Sequence, residues 1–261
     1  MLLKTLLNST PTRSVVGPAD RQVESIAYDS RRVGKNSLFV ALRGEKSDGH
    51  QFIDQAVERG ATTVVVDHPV QQARATLVHV ADTRTALADL AAAFYDRPMR
   101  RLKMAAVTGT NGKTTTTFLI KHICEKAGLR CGLIGTVRYE IGERILPAVR
   151  TTPESLELQE LLAQISNAGC KAAAMEVSSH ALAQERTRGL EWDVAVFTNL
   201  TQDHLDFHGT MENYFEAKVK LFTGLATQQV KKKSVAVVNL DDRYGDKLVE
   251  RLKESVPVVT Y

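Results

Sequence analysis

The segment AVTGTNGKTTTTFLI, residues 106–120, decides the fold of the second half of the chain. An apolar run enters it, Gly109 and Gly112 interrupt that run, and a helical pattern resumes after Lys113. A glycine loop between a strand and a helix turns backbone N–H groups towards an anion, and the helix N-terminus adds partial positive charge. The full pattern G-x-x-x-x-G-K-[ST] would place a glycine where this chain has Val107, but the flanking strand and helix are those the motif requires. The bound anion is therefore expected to be a nucleoside triphosphate, with ATP the preferred candidate, rather than the loop being a glycine turn with an incidental lysine.

Composition limits the function classes. The 261 residues are 43% hydrophobic and 25% charged, as in globular proteins, and suffice for two domains. No run of about 18 apolar residues predicts a membrane span, and the N-terminus lacks the features of a signal peptide. The odd set Cys124, Cys131 and Cys170 has no metal-ligand spacing and predicts free thiols in the cytoplasm. The basic cluster at 231–233 has no interleaved aromatic residues, so nucleic-acid binding is not expected.

The hydrophobic pattern predicts an α/β protein of two domains. In residues 1–98 four short β-rich runs alternate with helical stretches, which predicts a small α/β domain. In residues 99–261 strands with continuous apolar runs alternate with helices, which predicts a mostly parallel sheet flanked by helices. The basic segment 97–103 is interpreted as a linker. Because the strand–helix pattern is still running at Tyr261, the second domain is predicted to be incomplete.

Acids and imidazoles follow two of the predicted strands. Glu176 stands where one buried strand ends, and Asp203, His204, Asp206 and His208 follow the next. Ligands of such folds bind at the carboxyl edge of the sheet, and carboxylates suit Mg²⁺. His204 is a candidate metal ligand or proton carrier. Each residue alone is equally a cap or loop residue, but together, beside a phosphate loop, they predict a catalytic centre.

Four stretches in this order resemble the Mur ligases, ATP-dependent enzymes that build the peptidoglycan stem peptide. They are VTGTNGKTT, TTPESLELQELL, MEVSSHALAQER and FTNLTQDHLDFHGTMENYFEAK. The similarity is greatest to the members that add the third residue to UDP-N-acetylmuramoyl-L-alanyl-D-glutamate. The N-terminal stretch YDSRRVGKNSLFVALRGEKSDGHQFIDQAVERGA resembles the uridine-binding domain of those enzymes. The resemblance implies a UDP-sugar-binding domain at 1–98 and a truncated central ATP-binding domain at 99–261, without the C-terminal domain that selects the amino acid.

The resemblance also implies roles for individual residues. The ATP phosphates would be held by Gly109, Thr110, Asn111, Gly112, Lys113, Thr114 and Thr115. The uridine nucleotide would lie near Tyr28, Ser30, Glu45, Lys46 and Ser47, with Glu45 standing where related enzymes can carry histidine. The muramoyl dipeptide would be held by Thr151, Thr152, Ser178, Gln184 and Arg186. Magnesium would be bound by Thr114, Glu176, His204 and Lys218, the last as a carbamylated lysine. The catalytic residues would be Lys113, Lys218 and His204.

The implied reaction forms an amide through an acyl phosphate, with ATP, Mg²⁺ and the UDP-N-acetylmuramoyl dipeptide as partners. The added residue, L-lysine or meso-diaminopimelate, stays open. A cytoplasmic monomer is expected, and the 261 residues alone are expected to be weakly active or inactive. The alternatives are a folylpolyglutamate-type ligase, which would leave the YDSR segment unexplained, and a non-catalytic module that binds UDP-sugar and ATP. A generic phosphate-loop kinase or GTPase is the least favoured alternative, because no NKxD-like guanine signature is present.

Overall fold

The computed structural model describes residues 1–44, 47–71 and 74–261. It divides into two compact units, Met1–Asp96 and Arg97–Tyr261, each with its own sheet. The segment interpreted as a linker is not an extended connection. Pro98–Arg101 forms a 3-10 turn, and the side chains of Met99 and Leu102 are buried in the core of the second unit. Those two apolar side chains explain why this basic segment packs as part of a unit.

The first unit is a five-stranded sheet with helices. Its elements, in chain order, are α1 (Leu3–Leu7), β1 (Ser14–Val16), β2 (Ser25–Ala27), β3 (Ser37–Val40), α2 (Ile53–Glu58), β4 (Ala61–Val66), β5 (Thr76–His79) and α3 (Thr83–Phe94). The strand order is β1-β5-β4-β3-β2, in which β1 is antiparallel to β5 and the other neighbours are parallel. The predicted alternation of strands and helices is present, and the carboxyl ends of β2, β3 and β4 lie at one edge.

The ends of two helices in this unit follow from local chemistry. Asp82 begins α3 because its carboxylate accepts a hydrogen bond from the backbone N–H of Thr85. Gly60 follows α2 with a φ of +113°, a conformation that permits the sharp turn into β4. β3 and most of β4 are fully buried, as expected for central parallel strands.

The second unit is an eight-stranded, mostly parallel sheet flanked by helices, as the sequence predicts. Its elements are β6 (Lys103–Thr108), α4 (Lys113–Lys126), β7 (Cys131–Ile134), β8 (Arg138–Ile141), β9 (Arg144–Pro147), α5 (Ser155–Asn167), β10 (Ala172–Glu176), α6 (Ser179–Ala183), β11 (Val194–Phe197), α7 (Leu205–His208), α8 (Met211–Thr223), β12 (Val235–Val238), α9 (Arg243–Leu252) and β13 (Val258–Thr260). The order is β13-β12-β11-β6-β10-β7-β8-β9, and only β8 runs antiparallel to its neighbours, β7 and β9.

The strand register places the candidate site residues of this unit at one edge of its sheet. β6 lies between β10 and β11, with Glu176 paired to Val107 and Phe197 paired to Thr108. The three strands therefore end at the same level. Their carboxyl ends bring the glycine loop, the end of β10 and the segment after β11 together, as parallel topology requires.

Close packing of α5 on the sheet depends on small residues. A side chain at Gly132 would lie 2.6–2.8 Å from the side-chain carbons of Ile165, so glycine at this position in β7 lets α5 approach. The helix begins at Ser155 rather than at Thr152 or Pro153, although proline is common in the first turn of a helix. The reason is that the hydroxyl of Thr152 is engaged at the end of β10, where it accepts from Ser178 N and donates to the carbonyl of Glu176.

Within the described ranges, no helix has the length and apolar character needed to cross a bilayer.

Candidate active site

The glycine loop between β6 and α4 needs both of its glycines. Gly109 has a φ of +147° and Gly112 a φ of +83°, conformations that L side chains rarely adopt. A side chain at Gly109 would also collide with the hydroxyl of Thr198, which follows β11. The loop is thus shaped by its own backbone and by the neighbouring strand.

Residues after β11 hold the loop in place. Asn199 accepts from the backbone N–H of Thr110 through its carbonyl and from that of Asn111 through its side chain, each at 2.9 Å. The Thr198 hydroxyl donates to the carbonyl of Asn111 at 2.6 Å. The Thr110 hydroxyl lies 3.2 Å from the Tyr214 hydroxyl of α8. These contacts stabilise one conformation of the loop before any ligand binds.

The first turn of α4 presents an anion-binding surface. Its helical hydrogen bonding starts with Thr116 N donating to the carbonyl of Gly112. The N–H groups of Lys113, Thr114 and Thr115 precede that bond and have no acceptor within the helix. Together with the partial positive charge of the helix N-terminus, they suit a phosphate group.

Lys113 is folded back over the loop. Its ammonium group donates to the carbonyls of Gly109 at 3.0 Å and Thr110 at 2.8 Å. Burial lowers its pKa, an effect opposed by the negative charges of Glu176 and Asp203. A bound phosphate would offer this half-buried ammonium group a stronger acceptor than a neutral carbonyl.

Glu176, at the end of β10, is 1% exposed and fully engaged. It accepts hydrogen bonds from the Thr114 hydroxyl at 2.9 Å, from Thr136 N at 2.9 Å and from the Thr136 hydroxyl at 3.0 Å. A side chain at Gly135 would collide with its carboxylate. The structure therefore joins a hydroxyl and a carboxylate, the hard oxygen donors that magnesium prefers, beside the phosphate loop.

Lys218 of α8 is 1% exposed and points at the same loop. Its Nζ donates to the carbonyl of Gly109 at 3.0 Å, is 3.5 Å from the Thr108 hydroxyl and lies 4.6 Å from the centre of the Tyr214 ring. No carboxylate of the described residues forms an ion pair with it. Burial, and then the nearby charge of Lys113, hold the pKa of Lys218 well below its ordinary value.

Three histidines lie together beside α6 and α7. His204 has a φ of +53° directly before α7, and its ring centre lies 4.8 Å from that of His180 in an edge-on contact. His208 is buried, with Nε2 2.9 Å from the Ser179 hydroxyl. Burial, and next the charge of His180, lower the pKa of His208. Of the two histidines that the sequence analysis names, His204 is more accessible than His208, with 45% of its side chain exposed.

A cavity of about 290 Å³ unites these groups. It is lined by Gly109, Thr110, Asn111, Gly112, Lys113, Thr114, Thr115, Thr136, Thr151, Glu176, Ser178, Ser179, His204, Tyr214 and Lys218. The seven predicted phosphate-loop residues and the four predicted metal ligands all line it. Two lysines line this polar cavity, the half-buried Lys113 and the buried Lys218, beside the buried carboxylate of Glu176. With the helix N-terminus, this lining is suited to an anionic ligand.

Comparison with known families matches both units. The family model "Mur ligase middle domain" matches residues 107–261, and the model "Mur ligase family, catalytic domain" matches residues 22–95. The chain belongs to the Mur ligase family. The family resemblance that the sequence motifs indicate is thereby confirmed.

Individual Mur ligases resemble the chain along its length. It is 47% identical over 262 residues to the UDP-N-acetylmuramoyl-L-alanyl-D-glutamate–2,6-diaminopimelate ligase of Geobacillus kaustophilus, covering 100% of this chain and 53% of that protein. It is 44% identical over 255 residues to the ligase of that name from Clostridium perfringens, and the match covers 97% of this chain and 51% of that protein. A solved structure of a ligase with that name matches with a TM-score of 0.81 and 31% identity, and the match covers 98% of this chain and 52% of that one. The chain thus spans about half the length of the relatives it matches.

Four residues predicted to contact the muramoyl dipeptide of a Mur ligase lie beside Glu176. The Thr152 hydroxyl joins the Glu176 carbonyl to Ser178 N, while the Ser178 hydroxyl is occupied in capping α6. Arg186 donates to the carbonyl of Thr152 at 3.1 Å and to the side-chain oxygen of Gln184 at 2.5 Å. These four residues therefore form one hydrogen-bonded group.

Arg186 also has an acidic neighbour. Its Nε lies 2.8 Å from Oε1 of Glu154, and only 12% of its side chain is exposed. Arg150 contacts the same carboxylate at 2.9 Å. Thr151, the remaining residue of this predicted set, is 2.9 Å from the Thr136 hydroxyl and lines the cavity. An incoming carboxylate would meet an arginine already positioned by Glu154.

The predicted uridine-side residues belong to the first unit. Ser30 is buried in the turn after β2, where its hydroxyl donates to Gln55 Oε1 at 2.6 Å. Tyr28 is half-buried and Ser47 is exposed. Glu45 and Lys46 lie outside the described residues. The hydroxyl of Ser30 is thus engaged with α2, so a role in nucleotide binding stays a prediction.

Sequence reasoning missed three cavity-lining residues, Thr136, Ser179 and Tyr214. It also missed His180, whose ring contacts that of His204. Thr136 lies in the apolar run RCGLIGTV, residues 130–137, whose pattern predicts a strand, but β7 ends at Ile134. The Gly135–Thr136 pair directly after a buried strand is the signal that could have identified it. Tyr214 carries no such local signal, because its contact with Thr110 spans 104 positions.

Proposed function

We propose that the chain supplies the nucleotide-binding and acceptor-binding parts of an ATP-dependent ligase. This ligase joins an amino acid to the free carboxylate of UDP-N-acetylmuramoyl-L-alanyl-D-glutamate in peptidoglycan synthesis. The observation that carries the proposal is the contact of Thr114 with Glu176 at the mouth of the phosphate loop. The names of the similar ligases favour 2,6-diaminopimelate over lysine as the added residue.

The donor set fits ATP and magnesium. First-turn amides of α4 and the ammonium of Lys113 would hold the outer phosphates, and the Thr114 hydroxyl and Glu176 carboxylate would hold the metal, with His204 as a further candidate ligand. A bound Mg²⁺ would neutralise charge on the phosphates as it builds up during transfer. The remaining residues that line the cavity would position the triphosphate and exclude water from it.

Lys218 fits the role of a carbamylated lysine. Its low pKa favours the neutral amine, whose lone pair can attack carbon dioxide; a bond forms between Nζ and carbon, and one proton is released. The product is an anionic carbamate in place of an amine. The carbamate would lie near Lys113 and the positive end of α4, so the change would place a negative charge where the neutral amine carried none, beside positive charge that attracts it.

The reaction would then proceed in two steps. An oxygen of the D-glutamyl carboxylate attacks the γ-phosphorus of ATP, and ADP leaves with the bonding electrons. The amine of the incoming amino acid attacks the acyl carbon, gives up a proton, and phosphate leaves as the amide forms. Lys113 stabilises charge in the first step. Arg186, oriented by Glu154, would bind the acceptor, and the exposed imidazole of His204 would carry the proton.

The folate alternative is less well supported. A folylpolyglutamate-type role would assign no function to the first unit. The Mur ligase family match over residues 22–95 includes the YDSR segment, for which we propose uridine binding. A non-catalytic module would bind the same ligands but would release no ADP when all substrates are present. A cytoplasmic location and a monomeric state stay predictions.

Calorimetric titration with non-hydrolysable ATP and GTP analogues tests the nucleotide assignment. With Mg²⁺ present, we expect binding of the ATP analogue that is lost in Lys113→Met. Lys126→Met, at the other end of α4, is the matched control and should bind as the wild type does. Two results would contradict the assignment, provided that circular dichroism shows both proteins to be folded. One is that wild type binds the GTP analogue as tightly as the ATP analogue, and the other is that Lys113→Met binds the ATP analogue as tightly as wild type does.

A further inference from the structure

A second group of ligand-type side chains lies in the first unit. Asp67 and His68 directly follow β4, and His50 lies in the 3-10 turn Gly49–Phe52 in the connection from β3 to α2. β3 and β4 are parallel neighbours, so all three residues are at the carboxyl edge of this sheet. One ligand atom of each lies within 4.8 Å of the others.

One of the distances between these ligand atoms, that from His50 to Asp67, suits a small tetrahedral cation, and the shorter His68–Asp67 distance would have to lengthen on binding. His50 Nε2 is 3.5 Å from Asp67 Oδ1, and His68 Nδ1 is 2.7 Å from the same oxygen. The two imidazole ring centres are 4.0 Å apart. Zinc–ligand bonds of about 2.0–2.1 Å at tetrahedral angles separate two ligand atoms by roughly 3.3–3.4 Å. The His50–Asp67 pair is therefore already close to the spacing of two zinc ligands.

His50 presents a buried nitrogen without a partner. Its side chain is 5% exposed, and Nε2 has no hydrogen-bond partner among the described residues. On the other side of the ring, Nδ1 lies 2.6 Å from Asp48 Oδ1. When Nδ1–H donates to Asp48, Nε2 carries a bare lone pair directed towards Asp67. A carboxylate that orients a histidine in this way is the usual second partner of a zinc-bound imidazole.

The contacts of His68 are in conflict without a further cation. Its Nδ1 lies 2.7 Å from Asp67 Oδ1, an acceptor, and 2.9 Å from Arg43 Nη2, a donor. One nitrogen cannot donate to the first and accept from the second at once. If Nδ1 is bare, it faces the carboxylate oxygen, and a shared cation resolves the repulsion. Arg43 partly supplies that charge, but its side chain is 61% exposed and can move away.

The backbone fixes His50 in this position. Gly49 N donates to the carbonyl of Leu42 at 2.8 Å, and a side chain at Gly49 would lie 2.7 Å from two backbone atoms of Leu42. Arg43 and Asp48 pair as an antiparallel bridge. The turn that carries His50 is consequently held against the end of β3, and little ordering would remain to be done on metal binding.

We propose that His50, Asp67 and His68 form a binding site for a divalent transition metal of the zinc class, with a water as the fourth ligand. Two imidazoles and one carboxylate select zinc-like ions over magnesium, which prefers oxygen ligands. Asp48 is a positioning residue that orients His50. A bound ion would link the connection after β3 to the end of β4. The proposal is independent of the proposed ligase function.

The test titrates the full, metal-stripped chain with Zn²⁺ against a chromophoric chelator, and separately records the absorption of bound Co²⁺. We expect one tight equivalent and the intense visible bands of tetrahedral cobalt. His68→Gln and His50→Gln should each weaken binding by at least about tenfold, and Asp48→Asn by about 10–100-fold. His122→Gln, on the exposed surface of α4, is the matched control and should leave affinity and spectrum unchanged.

Two further variants locate the ion. His204→Gln removes a histidine of the active-site cavity and should not affect the tight equivalent. Because 37% of the His68 side chain is exposed, His68→Gln should fold even if the buried His50→Gln does not. Absence of a tight equivalent in the wild type, or its loss in His204→Gln alone, would overturn the proposal. It would leave His50 as a buried side chain held by its contacts with Asp48 and Asp67.

Discussion

The Thr114 hydroxyl donates a 2.9 Å hydrogen bond to Glu176, joining the first turn of α4 to the end of β10 across 62 positions of sequence. The two elements that carry the proposed phosphate and metal ligands are thereby joined to each other. The Thr136 backbone and side chain complete the set of donors to Glu176. The three hydrogen bonds consequently hold the carboxylate in one orientation at the wall of the cavity.

Glu176→Gln preserves volume but removes the charge that would hold magnesium. We expect at least about tenfold weaker binding of a non-hydrolysable ATP analogue in the presence of Mg²⁺, about 1.4 kcal/mol, and little change without the metal. Calorimetry with and without Mg²⁺ measures both. Glu143→Gln, whose side chain is 94% exposed, is the control and should bind normally. An equal loss with and without Mg²⁺ would mean that Glu176 only maintains the loop structure.

Gly109→Ala combines two costs, a strained φ and a collision with the Thr198 hydroxyl. Gly128→Ala has a φ of +78° and open space, so it incurs the backbone cost alone. Thermal unfolding should show a loss of about 1–2 kcal/mol for Gly128→Ala and a larger loss for Gly109→Ala. Only Gly109→Ala should also lose nucleotide binding. Equal destabilisation by the two variants would show that the loop adjusts to a side chain.

Lys218 should react with carbon dioxide. Incubation with ¹³C-bicarbonate should produce one carbamate resonance in the ¹³C spectrum that is lost in Lys218→Met. Lys220→Met is the matched control on α8, because Lys220 has an exposed side chain and should leave the resonance in place. A spectrum of the folded wild type without the resonance would remove Lys218 from the predicted metal ligands.

The same lysine should make stability depend on pH in carbon-dioxide-free buffer. Its pKa is lower in the folded chain than in the unfolded chain, so between the two values the unfolded state binds more protons. The free energy of unfolding of the wild type, relative to Lys218→Met, should therefore rise as pH rises towards 10.5. Chemical denaturation across that range measures the difference. A constant difference would show that Lys218 keeps an ordinary pKa in the folded chain.

The sequence predicts much of this architecture because parallel strands and a phosphate loop have strong local signals. The apolar runs locate β6, β10 and β11, and topology alone then brings Glu176 to the loop. Short elements are harder: α1 has five residues and β1 three, so tertiary packing rather than local propensity decides them. Contacts such as Tyr214 with Thr110, or His50 with Asp67, join distant positions without a fixed spacing. No local pattern marks them.

The central claim is that the cavity region binds a muramoyl dipeptide as acceptor. Calorimetric titration of the folded chain with UDP-N-acetylmuramoyl-L-alanyl-D-glutamate, compared with UDP-N-acetylmuramoyl-L-alanine, tests it most directly. We predict tighter binding of the dipeptide form. That preference should be lost in Arg186→Ala and retained in Arg130→Ala, a control with a 46% exposed side chain. Equal binding of the two ligands, or no binding by a folded chain, would contradict the account.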